Sequence, residues 1–297
     1  MIAVRRVESD ADLEAWAAVK SGVARDEPVT AEQLRRWPGR ERLLLLAELD
    51  GKLAACGLAD RSDEPGRGFV APRVLPDARR RGLGTALLEP LVAHVERLGL
   101  ATVGTRVDAR DAGSRAFAER FGFREWHRDV VQVKRIGVER TPQPLPGIEV
   151  VTIAERPDLL ERTYDLAVEA YADLAIAATL DISLEQWLAE EATRPDGSFV
   201  ALAGDEIVAY AGLLQVGNEA DVAEHGLTAV RRGRRGSGIA TQLKRRQLAW
   251  AAANGVRELV TYTQTGNEAM QAVNERLGYE VRTEHVALRA ALPLRLP

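Results

Sequence analysis

Short runs of alternating apolar and polar residues recur along this 297-residue chain, separated by segments with apolar residues at helical spacing. They form two sets in the same order: strand, helices, hairpin, strand, glycine-rich loop, helix, strand, helix and closing strand. The predicted strands are Ile2–Val7, Arg42–Leu49, Leu53–Leu58, Phe69–Val74, Leu100–Val107, Glu125–Ile136, Ile148–Ile153, Phe199–Ala203, Glu206–Leu214, Asp221–Val230, Glu258–Thr265 and Val281–Leu288. Hairpins mixed with strand–helix–strand units predict an α/β (α+β) fold. Each half is expected to form a mixed, mostly antiparallel sheet with helices on both faces.

Several local signals refine these elements. Asp50-Gly51 predicts a tight hairpin turn. A helix is expected over Thr85–Leu98, and Pro90 should kink it or displace its start. A second helix is expected from Pro157 through Tyr171, and Trp37 is expected on a short helix of the first half.

The two halves repeat at a fixed spacing. Gly238 follows Gly82 by 156 residues, and the same offset relates Val230 to Val74 and Gly278 to Gly122. Two glycine loops with matched downstream segments at one offset indicate a duplicated domain. Proline-rich residues 138–147 are the predicted linker between domains at 1–137 and 148–297.

Composition limits the function classes. A formal net charge of −4 gives no reason to expect a nucleic-acid or membrane-surface partner. Cys56 is the only cysteine, so no internal disulfide and no cysteine-based zinc site is expected, and no metal is predicted. The chain shows no signal-peptide pattern and no long apolar run, so we expect a cytoplasmic protein, either monomer or homodimer.

Both glycine loops suit an anion, because small residues let backbone N–H groups close around it and a helix N-terminus follows. One alternative is that each loop is an ordinary polar turn whose arginines reflect the arginine-rich composition of the chain. A Rossmann site would need G-x-G-x-x-G with an acidic residue about 20 positions on, and neither half has that spacing. A Walker loop would need Gly-Lys-Ser/Thr, which does not occur.

What remains resembles the acyl-CoA loop of the GNAT superfamily of N-acyltransferases. Its Gln/Arg-x-x-Gly-x-Gly/Ala signature is matched by Arg79-Arg-Arg-Gly82-Leu-Gly84 and by Arg235-Gly-Ser-Gly238-Ile-Ala240. A second motif is matched by Asn267–Tyr279 and, less closely, by Asp111–Phe123. The tandem layout is similar to that of the mycothiol synthases, which acetylate an amino sugar–inositol conjugate.

The resemblance implies that acetyl-CoA is the co-substrate and that the loops and helix N-termini hold its pyrophosphate. It also implies that strand main-chain groups pair with the pantetheine arm and that one backbone N–H polarises the thioester carbonyl. The implied loop residues are Arg79, Arg80, Arg81, Gly82, Leu83, Gly84, Thr85, Arg235, Gly236, Ser237, Gly238, Ile239, Ala240 and Thr241. The implied strand residues are Arg73, Val74, Thr228, Ala229 and Val230, and the implied downstream contacts are Asn267 and Asn274.

Chemistry is expected in the C-terminal half. Some family members carry a glutamate that acts as the general base, six residues before the valine that ends the strand leading into the loop. That position is Glu224 here, and the 156-residue offset pairs it with Gly68, which cannot act as a base. The family's acid tyrosine is replaced by Asn274 and Ala118, which leaves the acid open between Tyr279, Tyr262 and water.

Other side chains carry weaker expectations. His225 should point to the opposite strand face from Glu224 and be structural. Asp173 and Asp181 could attract an amine.

The leading hypothesis is therefore an N-acetyltransferase that moves an acetyl group from acetyl-CoA to a primary amine of a small molecule. The N-terminal half is expected to bind acyl-CoA or to act as a scaffold. A non-catalytic acyl-CoA sensor and a protein or peptide N-acetyltransferase remain alternatives, and a nucleic-acid binder is a distant third.

Overall fold

The computed structural model describes residues 1–25, 27–36, 41–62, 66–173 and 182–294. Contacts between residues divide the chain into two units. Met1–Arg128 with His285–Pro297 forms one, here called the N-terminal unit, and Asp129–Glu284 forms the C-terminal unit.

The N-terminal unit is a sheet with the strand order β1-β2-β3-β4-β5-β12. Its elements are β1 (Ile2–Arg6), α1 (Asp10–Val23), α2 (Ala31–Arg36), β2 (Leu43–Leu49), β3 (Lys52–Arg61), β4 (Arg67–Val74), α3 (Leu83–Arg97), β5 (Thr102–Asp108), α4 (Ala112–Arg120) and the end of β12 (Glu280–Ala291). Only the β4–β5 pairing is parallel among those described in this unit.

The C-terminal unit repeats this plan with the strand order β6-β11-β10-β9-β8-β7. Its elements are most of β6 (Arg124–Arg135), β7 (Glu149–Thr152), α5 (Asp158–Arg162), α6 (Tyr164–Ala172), α7 (Leu184–Glu190), β8 (Phe199–Ala203), β9 (Glu206–Val216), β10 (Glu219–Val230), α8 (Ile239–Ala253), β11 (Glu258–Gln264) and α9 (Glu268–Arg276). Its described parallel pairing is β10 with β11.

Each sheet is covered on both faces, as predicted. In the N-terminal unit, Leu87 and Leu91 of α3 pack on one face, and Trp16 of α1 packs on the other with Leu34 of α2. In the C-terminal unit, Leu243 and the rest of α8 cover one face, while α5, α6 and α7 cover the other. The mixed α/β fold expected from the sequence is confirmed.

The closing strands exchange between the two halves of the sequence. Residues 129–135 of β6 pair with β11, and His285–Ala291 of β12 pair with β5. The predicted boundary at 138–147 divides the covalent chain between the two repeats, and the contact grouping differs from it in these two strands. The proline-rich segment itself packs within the C-terminal unit, where Leu145 contacts the core and the Gln143 carbonyl accepts a hydrogen bond from Gln242 (2.8 Å).

Local predictions met mixed outcomes. Asp50 and Gly51 both have positive φ angles, 53° and 78°, as a tight hairpin turn requires. The helix predicted from Pro157 is split into α5 and α6 at Thr163, whose hydroxyl donates back to the Leu160 carbonyl (2.6 Å), a bond that tends to bend helices. Helix α3 begins at Leu83 and continues through Pro90. Trp37 lies outside the described residues.

Gly68 gives a direct test of the close packing between β4 and α3. A Cβ atom at this position would lie 2.2 Å from Cγ1 of Val95, so we expect Gly68→Ala to destabilise the fold by about 1–3 kcal/mol through overpacking. Thermal unfolding measures the effect. Gly137→Ala is the matched control, because no atom lies within 4 Å of its added Cβ. An unchanged midpoint for Gly68→Ala would contradict this packing.

Candidate active site

A gap opens between the parallel strands of each unit. Strand β10 pairs with β11 only as far as Glu224, which lies opposite Val260, and then continues to Val230 beside β9 alone. In the N-terminal unit the parallel pairing likewise ends at Phe69, and β4 continues to Val74. Within the described part of the chain, each gap therefore leaves one strand edge unpaired, and that edge leads directly into a glycine loop.

Strand alternation identifies the main-chain groups that face the gap of the C-terminal unit. The Arg231 N–H donates to the Val208 carbonyl of β9 (2.9 Å), so the N–H groups of Val230 and Thr228 point away from β9. The main chain of Ala229, which was predicted to pair with a ligand, faces β9 instead. The gap thus offers two backbone donors from alternate residues of β10.

The strand edge of the N-terminal unit offers fewer backbone N–H donors to its gap. The Leu75 N–H donates to the Ala54 carbonyl of β3 (3.0 Å), so the main chain of Arg73 faces β3 and that of Val74 faces the gap. The next gap-facing position is Pro72, the counterpart of Thr228, and proline has no N–H. The two edges are therefore not equivalent.

A β-bulge further distinguishes the C-terminal unit. The register between β10 and β9 shifts between His225 and Thr228, whereas β3 and β4 pair without a shift. Because the bulge adds one residue, Glu224 corresponds in register to Phe69 and not to Gly68 as the constant offset predicted. The conclusion that the N-terminal unit has no carboxylate at this position is unchanged.

The two glycine loops have the same backbone conformation. Gly236 and Gly238 have φ angles of 75° and 84°, and their counterparts Arg80 and Gly82 have 63° and 89°. In each loop the arginine side chain folds back on the strand end, with Arg235 Nε donating to the Val230 carbonyl (3.0 Å) and its counterpart doing the same at 3.3 Å. Arg80 shows that the loop geometry is kept even where a non-glycine residue must adopt a left-handed conformation.

Helices α3 and α8 start without a side-chain cap. Neither Gly82 nor Gly238 provides a capping side chain, whereas α1, α4, α7 and α9 begin on Ser, Asp or Asn residues that accept from the first turn. Buried Leu83 and Ile239 anchor the two uncapped ends to the core. The first turns continue through Gly84 and Thr85, and through Ala240 and Thr241. Their N–H groups are free to bind an anion.

Carboxylates of α6 already engage the arginines of the second loop. Asp173 accepts from Arg232 (2.6 Å) and from Arg235 (2.7 Å), and these two hydrogen bonds lower the pKa of its carboxyl to about 2. Glu169 accepts from Arg231 (3.0 Å). Asp173 was predicted to attract an amine, but its carboxylate is engaged by the two loop arginines instead. Asp181 lies outside the described residues.

The first loop is engaged differently. Arg79 pairs with Asp111 (3.1 Å), the N-cap residue of α4, and Arg81 pairs with Asp50 (3.2 Å). The counterpart of Asp111 in the C-terminal unit is Asn267 at the start of α9. The Asn267 side chain caps that helix by accepting from the Met270 N–H (3.3 Å).

Glu191, a residue that the sequence did not point to, lies against the bulge. Its carboxyl accepts a hydrogen bond from the Tyr210 hydroxyl (3.0 Å) and lies near the Leu227 N–H (3.5 Å). A Cβ atom on Gly212 or Gly226 would come within 1.7 Å or 2.0 Å of its Oε1. The two glycines on neighbouring strands thus form the slot that receives this carboxyl.

The surroundings of Glu191 raise the pKa of its carboxyl toward neutral pH. Burial raises the pKa of its carboxyl to about 7, although hydrogen bonds from Tyr210 and from the Leu227 and Ala192 backbone act in the opposite direction. Glu224 lies on the same sheet face, because its neighbours Ala223 and His225 face α8. Two carboxylates therefore line this face beside the bulge.

A buried polar cluster supports the bulge from the α8 side. His225 is hydrogen-bonded to the Tyr279 hydroxyl (2.5 Å), and Gln247 donates to the carbonyls of Gly212 (2.9 Å) and Ala211 (3.2 Å). His225 is thus placed on the opposite face from Glu224. Burial raises the pKa of the Tyr279 hydroxyl, which makes Tyr279 a poor acid for this reaction. Tyr262 and water remain candidates.

Asn274 does not line the gap. Its side chain is fully buried and donates to Gln132 Oε1 (2.9 Å) and Thr263 Oγ1 (3.3 Å), which leaves no surface for a ligand. The family's tyrosine position is therefore used here to join β6, β11 and α9.

Among the described residues, no group of three or more His, Cys, Asp or Glu side chains is placed to hold a metal ion. None of the described helices is long and apolar enough to cross a membrane.

Comparison with known proteins agrees with this geometry. The model of the acetyltransferase (GNAT) family matches residues 11–123 and 160–279, one stretch in each repeat. The chain belongs to the GNAT acetyltransferase family. It carries two tandem matches to the family's domain.

Individual relatives differ in how much they share with this GNAT chain. A mycothiol acetyltransferase of Geodermatophilus obscurus is 26% identical over 86% of this chain and 84% of its own length. The ribosomal protein bS18-alanine N-acetyltransferase of Escherichia coli K12 is 46% identical over 50 residues, so the chain spans only 34% of that relative. The structure of a tandem GNAT protein from the clavulanic acid biosynthesis pathway superimposes with a TM-score of 0.78 at 18% identity, covering 98% of both chains, which shows a shared fold.

The raised pKa of Glu191 predicts a pH-dependent stability. Between about pH 4.5 and 7 the folded protein keeps a proton that the unfolded chain has lost, so this group stabilises the fold at low pH and the contribution disappears as pH rises through 7. We expect Glu191→Gln to remove this loss, so that its thermal midpoint rises relative to wild type between pH 5 and pH 8.

Glu185→Gln is the matched control, because it makes the same change at an exposed glutamate of α7 that lies outside the glycine slot. A difference in thermal midpoint between Glu191→Gln and wild type that is the same at pH 5 and pH 8 would contradict the raised pKa of the Glu191 carboxyl.

Proposed function

We propose that this protein transfers the acetyl group of acetyl-CoA to a primary amine of a small molecule, in the gap of the C-terminal unit. The observation that carries the proposal is the combination, in one unit, of an uncapped anion loop, a gap with two free N–H groups and a bulge flanked by two carboxylates. In the N-terminal unit the strand that leads into the same loop has Pro72 in place of the second N–H and Phe69 in place of Glu224.

The proposed cofactor site follows the free edge of β10. The N–H groups from Ser237 to Thr241 would bind the pyrophosphate at the N-terminus of α8, and Arg235 would add positive charge. The pantetheine arm would pair with the gap-facing main chain of Val230 and Thr228, like an added strand.

The proposed chemistry is direct attack on the thioester. The amine nitrogen forms a bond to the carbonyl carbon, and the carbon–sulfur bond breaks, with a backbone N–H of the bulged strand stabilising the oxyanion. Glu224 accepts the proton that the ammonium must lose, directly or through water, and the departing thiolate takes a proton to leave as free CoA. Glu191 adds negative charge above its pKa of about 7 and so holds the ammonium in the gap.

The acceptor class rests on charge and on similarity. A carboxylate-lined face suits a cationic amine, and the mycothiol acetyltransferase resembles this chain over most of both lengths. The match to the ribosomal protein alanine acetyltransferase is confined to 50 residues, so a protein N-terminus is the second acceptor to test. With acetyl-CoA as co-substrate, a cytoplasmic location is part of the proposal.

The activity test is acetyl-CoA turnover against a panel of small amines and one peptide with a free N-terminus, measured by release of CoA thiol. We expect Glu224→Gln to lower kcat by about 10²–10⁴-fold because the proton acceptor is lost. Glu191→Gln should mainly raise KM and remove the acid limb of the pH profile near pH 7.

Glu219→Gln on the same strand is the matched control and should leave turnover close to that of wild type. If Glu224→Gln kept full activity while Arg81→Asp in the first glycine loop abolished it, the chemistry would belong to the N-terminal unit.

Ser237→Asp tests the cofactor loop separately from chemistry. A carboxylate placed beside the α8 N-terminus would compete with the pyrophosphate for the same N–H groups, so CoA affinity measured by calorimetry should fall at least tenfold. Ser237→Ala should change it by less than about threefold, a free-energy difference below 1 kcal/mol.

The matched change in the first loop is Arg81→Asp, 156 residues earlier. Loss of CoA binding in Arg81→Asp with none in Ser237→Asp would reverse the assignment. The binding stoichiometry of wild type then gives the number of loops that hold CoA.

A further inference from the structure

Five ionisable side chains meet on the α1-facing side of the N-terminal sheet. They belong to α1, to the segment after it and to strands β4, β5 and β12, and they are here called the basic cluster: Lys20, Glu27, Arg73, Arg106 and His285. Arg73 lies opposite Cys56 of β3, whose side chain packs in the core beneath α1. Arg73 and Arg106 both lie beyond Phe69 and Gly104, where the parallel pairing of β4 with β5 ends, so the cluster lies at the gap on the α1-facing side of the sheet.

The cluster contains one carboxylate, and that carboxylate is already engaged. Glu27 accepts from Arg106 (2.9 Å) and lies 3.5 Å from His285 Nδ1. Although burial opposes it, Arg106, His285, Lys20 and Arg73 hold the pKa of Glu27 below its usual value. A single negative charge is thus shared among three basic side chains and a histidine.

Arg73 is the member that this carboxylate leaves unsatisfied. Its Nη1 atom is buried and has no hydrogen-bond partner within the described part of the chain. Burial lowers the pKa of Arg73, and burial followed by the charge of Arg73 lowers the pKa of Lys20 to about 8. Burying a guanidinium donor without a partner is costly, and a bound ligand oxygen that accepts from Nη1 would remove that cost.

The same positions of the C-terminal unit have a different character. Residues 156 positions after Arg73 and Arg106 are Ala229 and Tyr262. The counterpart of His285 in strand register is Asp129 of β6, because β5 and β11 pair with them at matching positions. The positive charge is therefore specific to the N-terminal unit and does not belong to the shared fold.

We propose that the basic cluster is a binding site for a small oxyanion, the carboxylate or phosphate group of a soluble ligand, with Arg73 and Lys20 as its direct donors. The proposal stands independently of the acetyl-transfer function. A site of this charge repels an ammonium ion, so the N-terminal unit would receive an anionic ligand where the C-terminal unit receives an amine.

The test measures thermal midpoints and calorimetric binding of the full chain with succinate and, in parallel, with inorganic phosphate. We expect the preferred anion to stabilise wild type, and Arg73→Met and Lys20→Met each to weaken its binding at least tenfold. Lys52→Met, the same substitution at the exposed first residue of β3, should bind as wild type does. None of these variants changes the glycine loops. Any phosphate that binds there is therefore the same in all proteins and does not affect the difference between variant and wild type.

Without anion, Arg73→Met should unfold at or above the wild-type midpoint, because a buried charge without a partner is removed. A purely structural arginine would instead lower the midpoint without any change in anion response. Lys20→Met keeps the test decisive if Arg73→Met fails to fold. Equal anion binding by wild type, Lys20→Met and Lys52→Met, or no binding by any of them, would overturn the proposal.

Discussion

Three residue pairs hold β10 parallel to β11, after which β10 runs on beside β9 alone. A strand that leaves its neighbour in this way keeps a row of backbone groups without partners, and such an edge usually invites unwanted pairing. Here the edge is short, is bent by a bulge and ends in a glycine loop. The candidate site depends on this early end of the pairing, because it exposes Thr228 and Val230 and brings them into line with the uncapped start of α8.

The two repeats share the geometry of the glycine loop but differ in the strand edge that leads into it. Loop geometry is kept so closely that Arg80 adopts a left-handed conformation where its counterpart is Gly236. The strand edge is not kept, since Pro72 replaces Thr228 and β4 lacks the bulge. Anion binding by a helix N-terminus needs only the loop, whereas oxyanion stabilisation and proton transfer need the edge and its side chains. The repeats therefore differ in the parts that chemistry requires.

Sequence reasoning recovered the fold, the repeat and the loops because each follows from local patterns. Period-two strands, glycines at positive φ and a constant offset are all visible without tertiary contacts. The prediction from the constant offset failed upstream of the bulge. The extra residue in β10 shifts the strand register there by one position, so the counterpart of Glu224 is Phe69 and not Gly68. Glu191 carried no signal of its own. A glutamate at a helix end is ordinary until Gly212 and Gly226, both distant in sequence, are seen to make room for it.

The exchange of closing strands has a consequence for how the chain acquires its structure. Strand β5 ends at Asp108, and the part of β12 that pairs with its open edge begins at His285, so this edge of the N-terminal sheet has no β12 partner until the intervening repeat has been synthesised. Contacts so far apart in sequence form late, because a long loop must close first. Completion of the N-terminal sheet therefore requires the last strand of the chain, and separating the two fragments after a cut within residues 138–147 would leave each sheet without its closing strand.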